Sequence, residues 1–333
     1  MRKNFLSLVF VLLGFCFPVE ARSSSDVGYR SIEVQDTVNG ERFPVAIWYP
    51  TSAQPSTLAF GPYNMRVARA AAPTDGKFGL IVISHGSGGD TLGHRDLAMA
   101  LASEGYVVAA PMHPRDNFQD MSGVGSVSVW VGRPQQVSRV IDRVLEDQAL
   151  GPHIQRERIG VVGHSAGGYT ALALAGAQPS MNALVQHCRG NPEDARLCFF
   201  GGAAAREAVR KGGDIPAVYD RRVRAIVLLA PVGALFTDEA LSHLAVPVRI
   251  YGAERDDLTP AQYHAERLAK ALGPKAEYVL IKGAGHYSFI AGFPDALKNS
   301  VGEAGQDPTG FDRNAMHESL NPEIVAFFNR TLK

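Results

Sequence analysis

A serine between two glycines stands where a β-branched run gives way to a run of small residues. The chain reads Arg-Ile-Gly-Val-Val-Gly-His-Ser-Ala-Gly-Gly over residues 158–168, with the serine at Ser165. A strand, a tight turn and a helix in this order form a nucleophile elbow, which raises a serine hydroxyl above the edge of a sheet. The turn strains the serine backbone, and Gly163 and Gly167 remove the β-carbons that would clash there. This context predicts that Ser165 is a nucleophile.

The base that activates Ser165 is expected among the ten histidines of the chain. A serine hydroxyl is a weak nucleophile unless a histidine takes its proton and an acid orients that histidine. With an elbow of this kind, the acid and then the histidine follow the serine along the chain. We assign His286, because it comes directly after a predicted strand and stands among glycines that let the loop fold back over the sheet edge. His317 is the alternative, in a polar helical stretch, and His264 is expected on a solvated helix face.

The acid that orients the base is expected after the predicted strand at residues 246–252. Asp256 and Asp257 are adjacent there, and Asp256 has the usual spacing to Pro260, which starts the next helix. We assign Asp256 as the acid and expect Asp257 to cap the helix or face water. An alternative acid position, after the preceding strand, holds Ala230, which cannot serve.

A glycine-rich loop after another predicted strand could hold the oxyanion that forms during acyl transfer. It reads His-Gly-Ser-Gly-Gly over residues 85–89. Two backbone N–H groups are needed where the negative charge develops, and we assign those of Ser87 and Ala166. The loop lacks the Lys-Ser/Thr ending of a phosphate-binding loop and the glycine spacing of a dinucleotide site. His85 is expected to bond beneath this loop.

Three further residues are candidates for a substrate pocket. His113 and Asn117 follow the end of a predicted strand, where they either line the pocket or serve in packing. Tyr287, next to the predicted base, is assigned to the same pocket. The chain has no Cys-x-x-Cys motif, and the serine mechanism requires no metal, so we expect neither a metal nor a cofactor.

The composition is that of an ordinary globular protein without net charge. Of 333 residues, 46% are hydrophobic and 20% are charged, and Lys plus Arg equal Asp plus Glu at 33 each. Because no basic stripe is present to attract a polyanion, nucleic acid is not an expected partner. The length suits one large α/β domain or two modest ones.

Residues 1–21 have the pattern of an export signal. The basic pair Arg2-Lys3 precedes an apolar run at residues 5–17, and the small residues Val19 and Ala21 suit cleavage after Ala21. The apolar run is too short to span a bilayer comfortably. We therefore expect an exported protein, periplasmic or secreted, with no integral membrane segment in the mature chain of residues 22–333.

The mature chain would keep two cysteines, Cys188 and Cys198. An even pair in an oxidising compartment predicts a disulfide. Both lie in residues 178–222, a polar, glycine-rich stretch that interrupts the alternation of strands and helices. Because long loops without function are uncommon, we predict that this segment is a cap inserted into the domain and held by the disulfide; the alternative is a plain loop.

The remaining sequence predicts strands and helices in alternation. Strands are expected at residues 30–36, 41–49, 78–84, 106–111, 158–162, 223–231, 246–252 and 276–282, and helices near residue 97, from Pro134, after the elbow, from Pro260 and from Pro322. The first two strands form a hairpin at Asn39-Gly40, and Pro44 favours an edge position for the second. Residues 51–77 lack clear periodicity and are expected to form a surface excursion. The alternation indicates a mostly parallel sheet covered on both faces.

Four motifs together resemble bacterial α/β-hydrolases of the predicted dienelactone hydrolase group. They are Val-Ile-Ser-His-Gly-Ser-Gly-Gly (residues 82–89), Ala-Pro-Met-His-Pro (110–114), Gly-His-Ser-Ala-Gly-Gly-Tyr (163–169) and Gly-His-Tyr-Ser-Phe (285–289). That group is related to the platelet-activating-factor acetylhydrolases and, more distantly, to polyester-degrading cutinases. The resemblance covers nearly all of the mature chain, and it implies an α/β-hydrolase fold and a serine mechanism.

Two departures limit what the resemblance implies about the substrate. Dienelactone hydrolases use a cysteine nucleophile where this chain has Ser165, so lactone hydrolysis is not carried over. The pattern of the platelet-activating-factor enzymes is that of the alternative acid placement, after the preceding strand, and this chain has Ala230 there. A phospholipid substrate is therefore disfavoured.

The residues and the resemblance together predict an exported serine hydrolase that cleaves carboxylic esters through an acyl-enzyme. Ser165 attacks, His286 acts as base and then as acid, and Asp256 orients His286. The expected substrate is a small-molecule or lipid ester, and the oligomeric state is left open. Alternatives on the same triad are an amidase or peptidase, and a lipase or phospholipid acetylhydrolase. A non-catalytic binding module is a further alternative, which should show a broken triad.

Overall fold

Ten strands form one sheet in residues 25–38 and 40–333, the part of the chain that this computed structural model describes. The strands are β1 (Asp26–Gln35), β2 (Arg42–Thr51), β3 (Ser56–Phe60), β4 (Tyr63–Arg69), β5 (Phe78–Ser84), β6 (Tyr106–Pro111), β7 (Ile154–His164), β8 (Val223–Leu229), β9 (Val248–Ala253) and β10 (Ala276–Ile281). Their order in the sheet is β10-β9-β8-β7-β5-β6-β2-β1-β4-β3. From β10 to β6 all neighbours are parallel, whereas β2 runs antiparallel to both β6 and β1.

Helices cover both faces of this sheet. In the described residues they are α1 (Arg95–Ser103), α2 (Val127–Leu145), α3 (Ala166–Leu174), α4 (Met181–Gly190), α5 (Ala195–Arg210), α6 (Asp238–Ser242), α7 (Ala265–Leu272), α8 (Asp295–Lys298) and α9 (Arg313–Thr331), with short 3₁₀ helices at Gly151–His153, Gly273–Lys275, His286–Phe289 and Gly302–Gly305. Successive residues of a strand point to opposite faces. Thus Leu80 and Val82 of β5 join the core that includes α2, α3 and α7, while Ile81 and Ile83 join the core beneath α1 and α9. The predicted parallel sheet with helices on both faces is confirmed.

The amino-terminal third differs from the prediction in two places. The predicted hairpin forms, with β1 antiparallel to β2, but β2 lies inside the sheet and Pro44 does not mark an edge. The ladder from β2 to β6 begins at Val45, so the missing N–H of Pro44 falls just outside it. Residues 51–77 are not a plain surface excursion, because they include the β3–β4 hairpin. Tyr63, Met65 and Val67 alternate with exposed residues along β4, which is the strand period that the prediction missed.

Pro134 lies inside α2, although the sequence predicts that it begins a helix. A proline within a helix leaves the carbonyl four residues earlier without its usual N–H partner. Here that carbonyl belongs to Trp130, and the Tyr169 hydroxyl donates a hydrogen bond to it at 2.8 Å. A side chain of α3 thus compensates for the proline of α2. Pro322 is likewise internal to α9.

Residues 178–222 contain two helices, α4 and α5, joined by the predicted disulfide. The Cys188–Cys198 bond has an S–S distance of 2.04 Å. Leu184, Leu197 and Ala205 of this segment are buried and belong to the core on the α2–α3 face of the sheet. The segment is therefore folded and packed, not a plain loop.

The amino-terminal export signal lies outside the described residues. Within residues 25–38 and 40–333, no helix combines the length and the hydropathy that crossing a bilayer requires.

Candidate active site

Ser165 stands at a strained turn between β7 and α3. Its backbone has φ 55° and ψ −116°, and α3 begins with the next residue, Ala166. A β-carbon on Gly163 would stand 2.0 Å from the Gly167 carbonyl oxygen, and one on Gly167 would stand 1.9 Å from that of Ser84. Both glycines are therefore required by close approach of backbone, as an elbow demands.

The predicted base and acid are hydrogen-bonded to each other. His286 Nδ1 lies 2.8 Å from Asp256 Oδ2, and both side chains are almost completely buried. Asp256 Oδ1 accepts two backbone hydrogen bonds, from Leu258 at 2.9 Å and Thr259 at 2.8 Å. Burial raises the pKa of Asp256, but the charge and hydrogen bond of His286 and the bonds from Thr259 outweigh it and lower the pKa overall. Asp256 is thus a carboxylate that holds the imidazole of His286 through Nδ1.

Asp257 lies apart from this pair. Its carboxylate is exposed and pairs with Arg196 of α5 at 2.8 Å. The structure therefore brings Asp256 to His286 and leaves Asp257 at the surface. At the alternative acid position, Ala230 contributes its carbonyl oxygen, which accepts a hydrogen bond from the Thr259 hydroxyl at 3.1 Å.

Thr259 is a site residue that the sequence reasoning missed. Its hydroxyl lies 3.0 Å from Asp256 Oδ2 and 3.1 Å from His286 Nδ1. An aspartate that accepts from N–H groups two and three residues ahead forms an Asx turn. In the sequence, the only trace of this turn is a threonine three residues after Asp256.

His164 connects the elbow to the loop of the base. Its Nε2 donates to the His286 carbonyl oxygen at 3.1 Å, and the two rings lie 5.0 Å apart. Since His164 immediately precedes Ser165 along the chain, this bond places the base loop against the elbow. Ser165 itself is buried, with 9% of its surface exposed.

The glycine-rich loop lies against Ser165. A β-carbon on Gly86 would stand 3.0 Å from the Ser165 β-carbon. The Gly86 carbonyl accepts from His85 Nδ1 at 2.6 Å and from the Gly89 N–H at 3.1 Å. In a trans peptide the carbonyl and the following N–H point in opposite directions. Because the Gly86 oxygen is bonded to groups of its own loop, the Ser87 N–H points away from those groups.

A buried ion pair supports this loop from below. Arg133 Nε lies 2.7 Å from Asp116 Oδ2, and both side chains are 1% exposed. Arg133 Nη1 also donates to the His85 carbonyl oxygen at 2.8 Å, and Asp116 Oδ2 accepts from the Ser87 hydroxyl at 3.3 Å. Sequence reasoning missed both residues. The available signal was an arginine on the apolar stripe of α2, four residues from Val129 and from Val137.

His113 and Asn117 lie beneath the site. His113 is fully buried and bonds Ser84 at 2.9 Å and Gln136 at 2.7 Å. Asn117 is nearly buried, and its amide donates to the His113 carbonyl at 2.8 Å. Their polar atoms are used inside the protein, which favours the packing role over the pocket. Tyr287 is half-buried, with its ring edge-on to that of His286 at 5.2 Å.

Several histidines around the site are buried in their neutral form. Burial, as the largest cause, lowers the pKa of His85, His113 and His164 well below the usual range and that of His94 to about 4. A neutral imidazole has one donor and one acceptor nitrogen. His85, for example, accepts the His113 N–H at Nε2, 3.0 Å away, and donates through Nδ1.

His264 belongs to a cluster that connects residues 178–222 to α7. The prediction of a solvated position was wrong, because His264 is fully buried and lies 2.9 Å from Asp194. His187 lies 2.6 Å from the same carboxylate oxygen, and the three side chains have the spacing of a metal site. The Gly233 N–H, however, donates to His264 Nδ1 at 3.1 Å. His264 Nε2 therefore carries the proton and donates to Asp194, which suits a hydrogen-bonded cluster and leaves no lone pair for a metal.

Comparisons with known proteins agree with this architecture. A family model described as Chlorophyllase matches residues 55–186, which include Ser165 but neither Asp256 nor His286. A solved structure of a ferulic acid esterase from Streptomyces cinnamoneus is similar, with a TM-score of 0.61, 23% sequence identity, and coverage of 94% of this chain and 91% of that chain. No curated protein sequence matches this chain. The sheet topology, the elbow and the structural likeness show that the chain has the α/β-hydrolase fold.

Proposed function

We propose that the chain is a serine hydrolase that cleaves carboxylic esters through an acyl-enzyme. The observation that carries the proposal is the buried Asp256–His286 pair, hydrogen-bonded at 2.8 Å beside a serine in a strained strand-to-helix turn. A nucleophile, a base and an orienting acid on adjacent loops are the components of acyl transfer. The sequence likeness to a chlorophyllase family model and the fold of an esterase both support an ester bond as the target.

In the first half of the reaction, the Ser165 hydroxyl attacks the ester carbonyl. His286 takes the hydroxyl proton and then delivers it to the departing alcohol, which leaves Ser165 acylated. Asp256 keeps His286 Nδ1 protonated, so that Nε2 is the acceptor nitrogen. In the second half, His286 takes a proton from water, the hydroxide attacks the acyl carbonyl, and His286 returns the proton to Ser165.

The negative charge on the carbonyl oxygen would be stabilised by the N–H groups of Ser87 and Ala166. The outward direction of the Ser87 N–H follows from the inward hydrogen bonds of the Gly86 carbonyl. The Ala166 N–H begins α3, where backbone N–H groups are free to donate outward. Two such donors are worth several kcal/mol to the transition state, because removing one costs roughly 10²–10³ in kcat.

The alcohol or acyl group of the substrate would meet an apolar rim. This rim consists of the exposed side chains Phe118, Met121, Phe199 and Phe200. A β-carbon on Gly88 of the glycine-rich loop would stand 3.4 Å from the Met121 sulfur, so the rim begins at the proposed oxyanion hole. Residues 178–222 supply its other part and would act as the cap that selects the substrate. A small-molecule or lipid ester suits such a rim.

The protein is proposed to act outside the cytoplasm. Residues 1–21 have the pattern of an export signal, and an oxidising compartment suits the Cys188–Cys198 disulfide.

Hydrolysis of a short-chain p-nitrophenyl ester by residues 22–333 tests the proposal. Ser165→Ala should abolish turnover, whereas Ser242→Ala, an exposed serine on α6, should not change it. Asp256→Asn should lower kcat by roughly 10⁴, as loss of the orienting acid does in serine proteases, and Asp257→Asn should change it less than about twofold. Full activity of Ser165→Ala would refute the mechanism.

Two further measurements separate the alternatives. Labelling of Ser165 by a fluorophosphonate would exclude a non-catalytic binding module, since only an activated serine reacts. Matched ester and amide substrates separate an esterase from an amidase or peptidase. A series of esters of increasing acyl length separates a short-chain esterase from a lipase or phospholipid acetylhydrolase, and EDTA should leave every rate unchanged.

A further inference from the structure

The proposed base, His286, lies on a helix that is too short to be stable by its own hydrogen bonds. The 3₁₀ helix His286–Phe289 has four residues. Along it, the Ser288 N–H donates to Gly285 and the Ile290 N–H to Tyr287, each at 3.1 Å. Such short helices have poor internal hydrogen-bond geometry. Their position depends on groups that bond their free carbonyls.

Two imidazoles supply those bonds from outside. His164 Nε2 lies 3.1 Å from the His286 carbonyl oxygen, and His317 Nε2 lies 2.8 Å from the Ser288 carbonyl oxygen. His164 is part of the elbow, whereas His317 comes from α9. His317 has no place in the chemistry proposed above, and yet it is buried directly beneath the base loop.

Both ring nitrogens of His317 have hydrogen-bond partners. One ring nitrogen faces a carbonyl oxygen, and the other, Nδ1, is bonded to the Asp96 carboxylate of α1. Both partners only accept hydrogen bonds while Asp96 is ionised. Burial raises the pKa of Asp96, but the hydrogen bond and charge of His317 outweigh it and lower the pKa to about 2. Asp96 is thus a carboxylate, and His317 bridges it to the Ser288 carbonyl oxygen.

The other groups around this pair leave it intact. Asn321 donates to Asp96 Oδ2 at 3.3 Å and so adds to its bonds. His94 is buried, its pKa lowered to about 4, chiefly by burial, so it stays neutral near pH 7. The Arg95 guanidinium instead donates to the Leu92 and Gly292 carbonyls and lies over the Tyr63 ring.

We infer that Asp96 and His317 form a second Asp–His pair that positions His286. The pair holds the Ser288 carbonyl through one ring nitrogen and the Asp96 carboxylate through the other, so hydrogen bonds link the base loop to α1. It thereby fixes the helix that presents the catalytic imidazole to Ser165. Since a misplacement of about 1 Å can cost 10²-fold in rate, losing the pair should act on turnover more than on substrate binding. The inference rests on the proposed function.

Four variants of residues 22–333 test it. His317→Ala removes the donor to Ser288, and His317→Gln keeps an amide N–H at about the same reach. Asp96→Asn removes the carboxylate that is bonded to the other ring nitrogen. Ile324→Ala, a fully buried residue of the same helix, is the control, since it opens a cavity in α9 without removing a hydrogen bond. The assays are kcat, KM, the second-order rate of fluorophosphonate labelling, and thermal unfolding.

His317→Ala should lower kcat and the labelling rate at least tenfold, with KM within about twofold of the starting protein. His317→Gln should recover most of that loss, and Asp96→Asn should lie between them. Ile324→Ala should lose stability but keep kcat. The inference is wrong if His317→Ala keeps full kcat, if His317→Gln recovers none of the loss, or if Ile324→Ala loses kcat equally at equal stability. An unmutated protein that neither hydrolyses esters nor takes the label would refute the proposed function instead.

Discussion

Replacing Arg133 by methionine would leave the Asp116 carboxylate buried and unpaired. The two side chains are each 1% exposed and lie 2.7 Å apart, so water cannot take the place of the guanidinium. Breaking one partner of a buried ion pair costs roughly 3–5 kcal/mol. Because a domain of this kind is stable by only about 5–15 kcal/mol, we expect Arg133→Met to fold but to unfold at a clearly lower urea concentration.

The same change should lower catalysis through the glycine-rich loop of residues 85–89, which carries the proposed oxyanion donor Ser87. Arg133 Nη1 donates to the His85 carbonyl at 2.8 Å, and Asp116 accepts from the Ser87 hydroxyl. If the Ser87 N–H then points less well at the oxyanion, part of the roughly 10²–10³ contribution of one donor is lost. We expect kcat to fall about tenfold to a hundredfold, with little change in KM because the transition state alone carries the charge.

Urea unfolding and ester kinetics on three proteins check this reasoning. Arg139→Met, on the same helix, removes an exposed pair with Asp142 and should cost less than about 1 kcal/mol without changing kcat. Arg133→Met combined with Asp116→Leu removes both charges and should be more stable than Arg133→Met alone. An Arg133→Met protein as stable and as active as the starting protein would refute the role given to the ion pair.

Three further changes have predictable outcomes. Gly167→Ala should cost more than about 3 kcal/mol or prevent folding, because its β-carbon would stand 1.9 Å from a backbone oxygen; Gly190→Ala, with open space around it, should be neutral, as circular dichroism melting can check. Replacing both Cys188 and Cys198 by serine should cost about 2–3 kcal/mol for a loop of this length, and the unmutated protein melted with and without reductant should show the same difference. Four buried histidines bind protons more readily when unfolded, since their folded pKa values lie below the usual 6.5. The free energy of unfolding should therefore fall as the pH drops from about 6.5 towards 4, by up to about 1.4 kcal/mol per pH unit for each histidine; urea curves that superimpose at pH 7 and pH 5 would contradict this.

The parts of the fold that could be predicted are those whose signal is local. The buried strand β5 is a continuous apolar run, and the elbow is a strand followed at once by glycines and a helix. The prediction that a helix begins at Pro134 was wrong because the group that tolerates an internal proline is distant in the sequence. The Tyr169 hydroxyl, which bonds the Trp130 carbonyl, belongs to another helix. Local rules for proline cannot include such a partner.

The residues of the candidate site likewise include some with a local sequence signal and some without one. Asp256 was chosen over Asp257 by its spacing to Pro260, and its approach to His286 agrees with that choice. Thr259 was missed because its hydroxyl matters only once β8 and β9 bring Ala230 beside it. His317 was dismissed as part of a polar helix because nothing near it in the chain reveals that Ser288 and Asp96 will lie on either side.

The hydrogen bond from Tyr169 to Trp130 also relates the two proposed oxyanion donors to each other. Tyr169 belongs to α3, which begins with Ala166, and Trp130 lies one turn before Arg133 in α2. Burial raises the pKa of Tyr169, so its hydroxyl keeps its proton across the working range of pH. Because Pro134 has no N–H, the Trp130 carbonyl is free to accept this bond. The bond links α3, which begins with the proposed donor Ala166, to α2, whose Arg133 supports the loop of the other proposed donor, Ser87. The spacing of the proposed oxyanion hole would then be a property of helix packing, and a Tyr169→Phe protein would keep both proposed donors but lose the link that sets their separation.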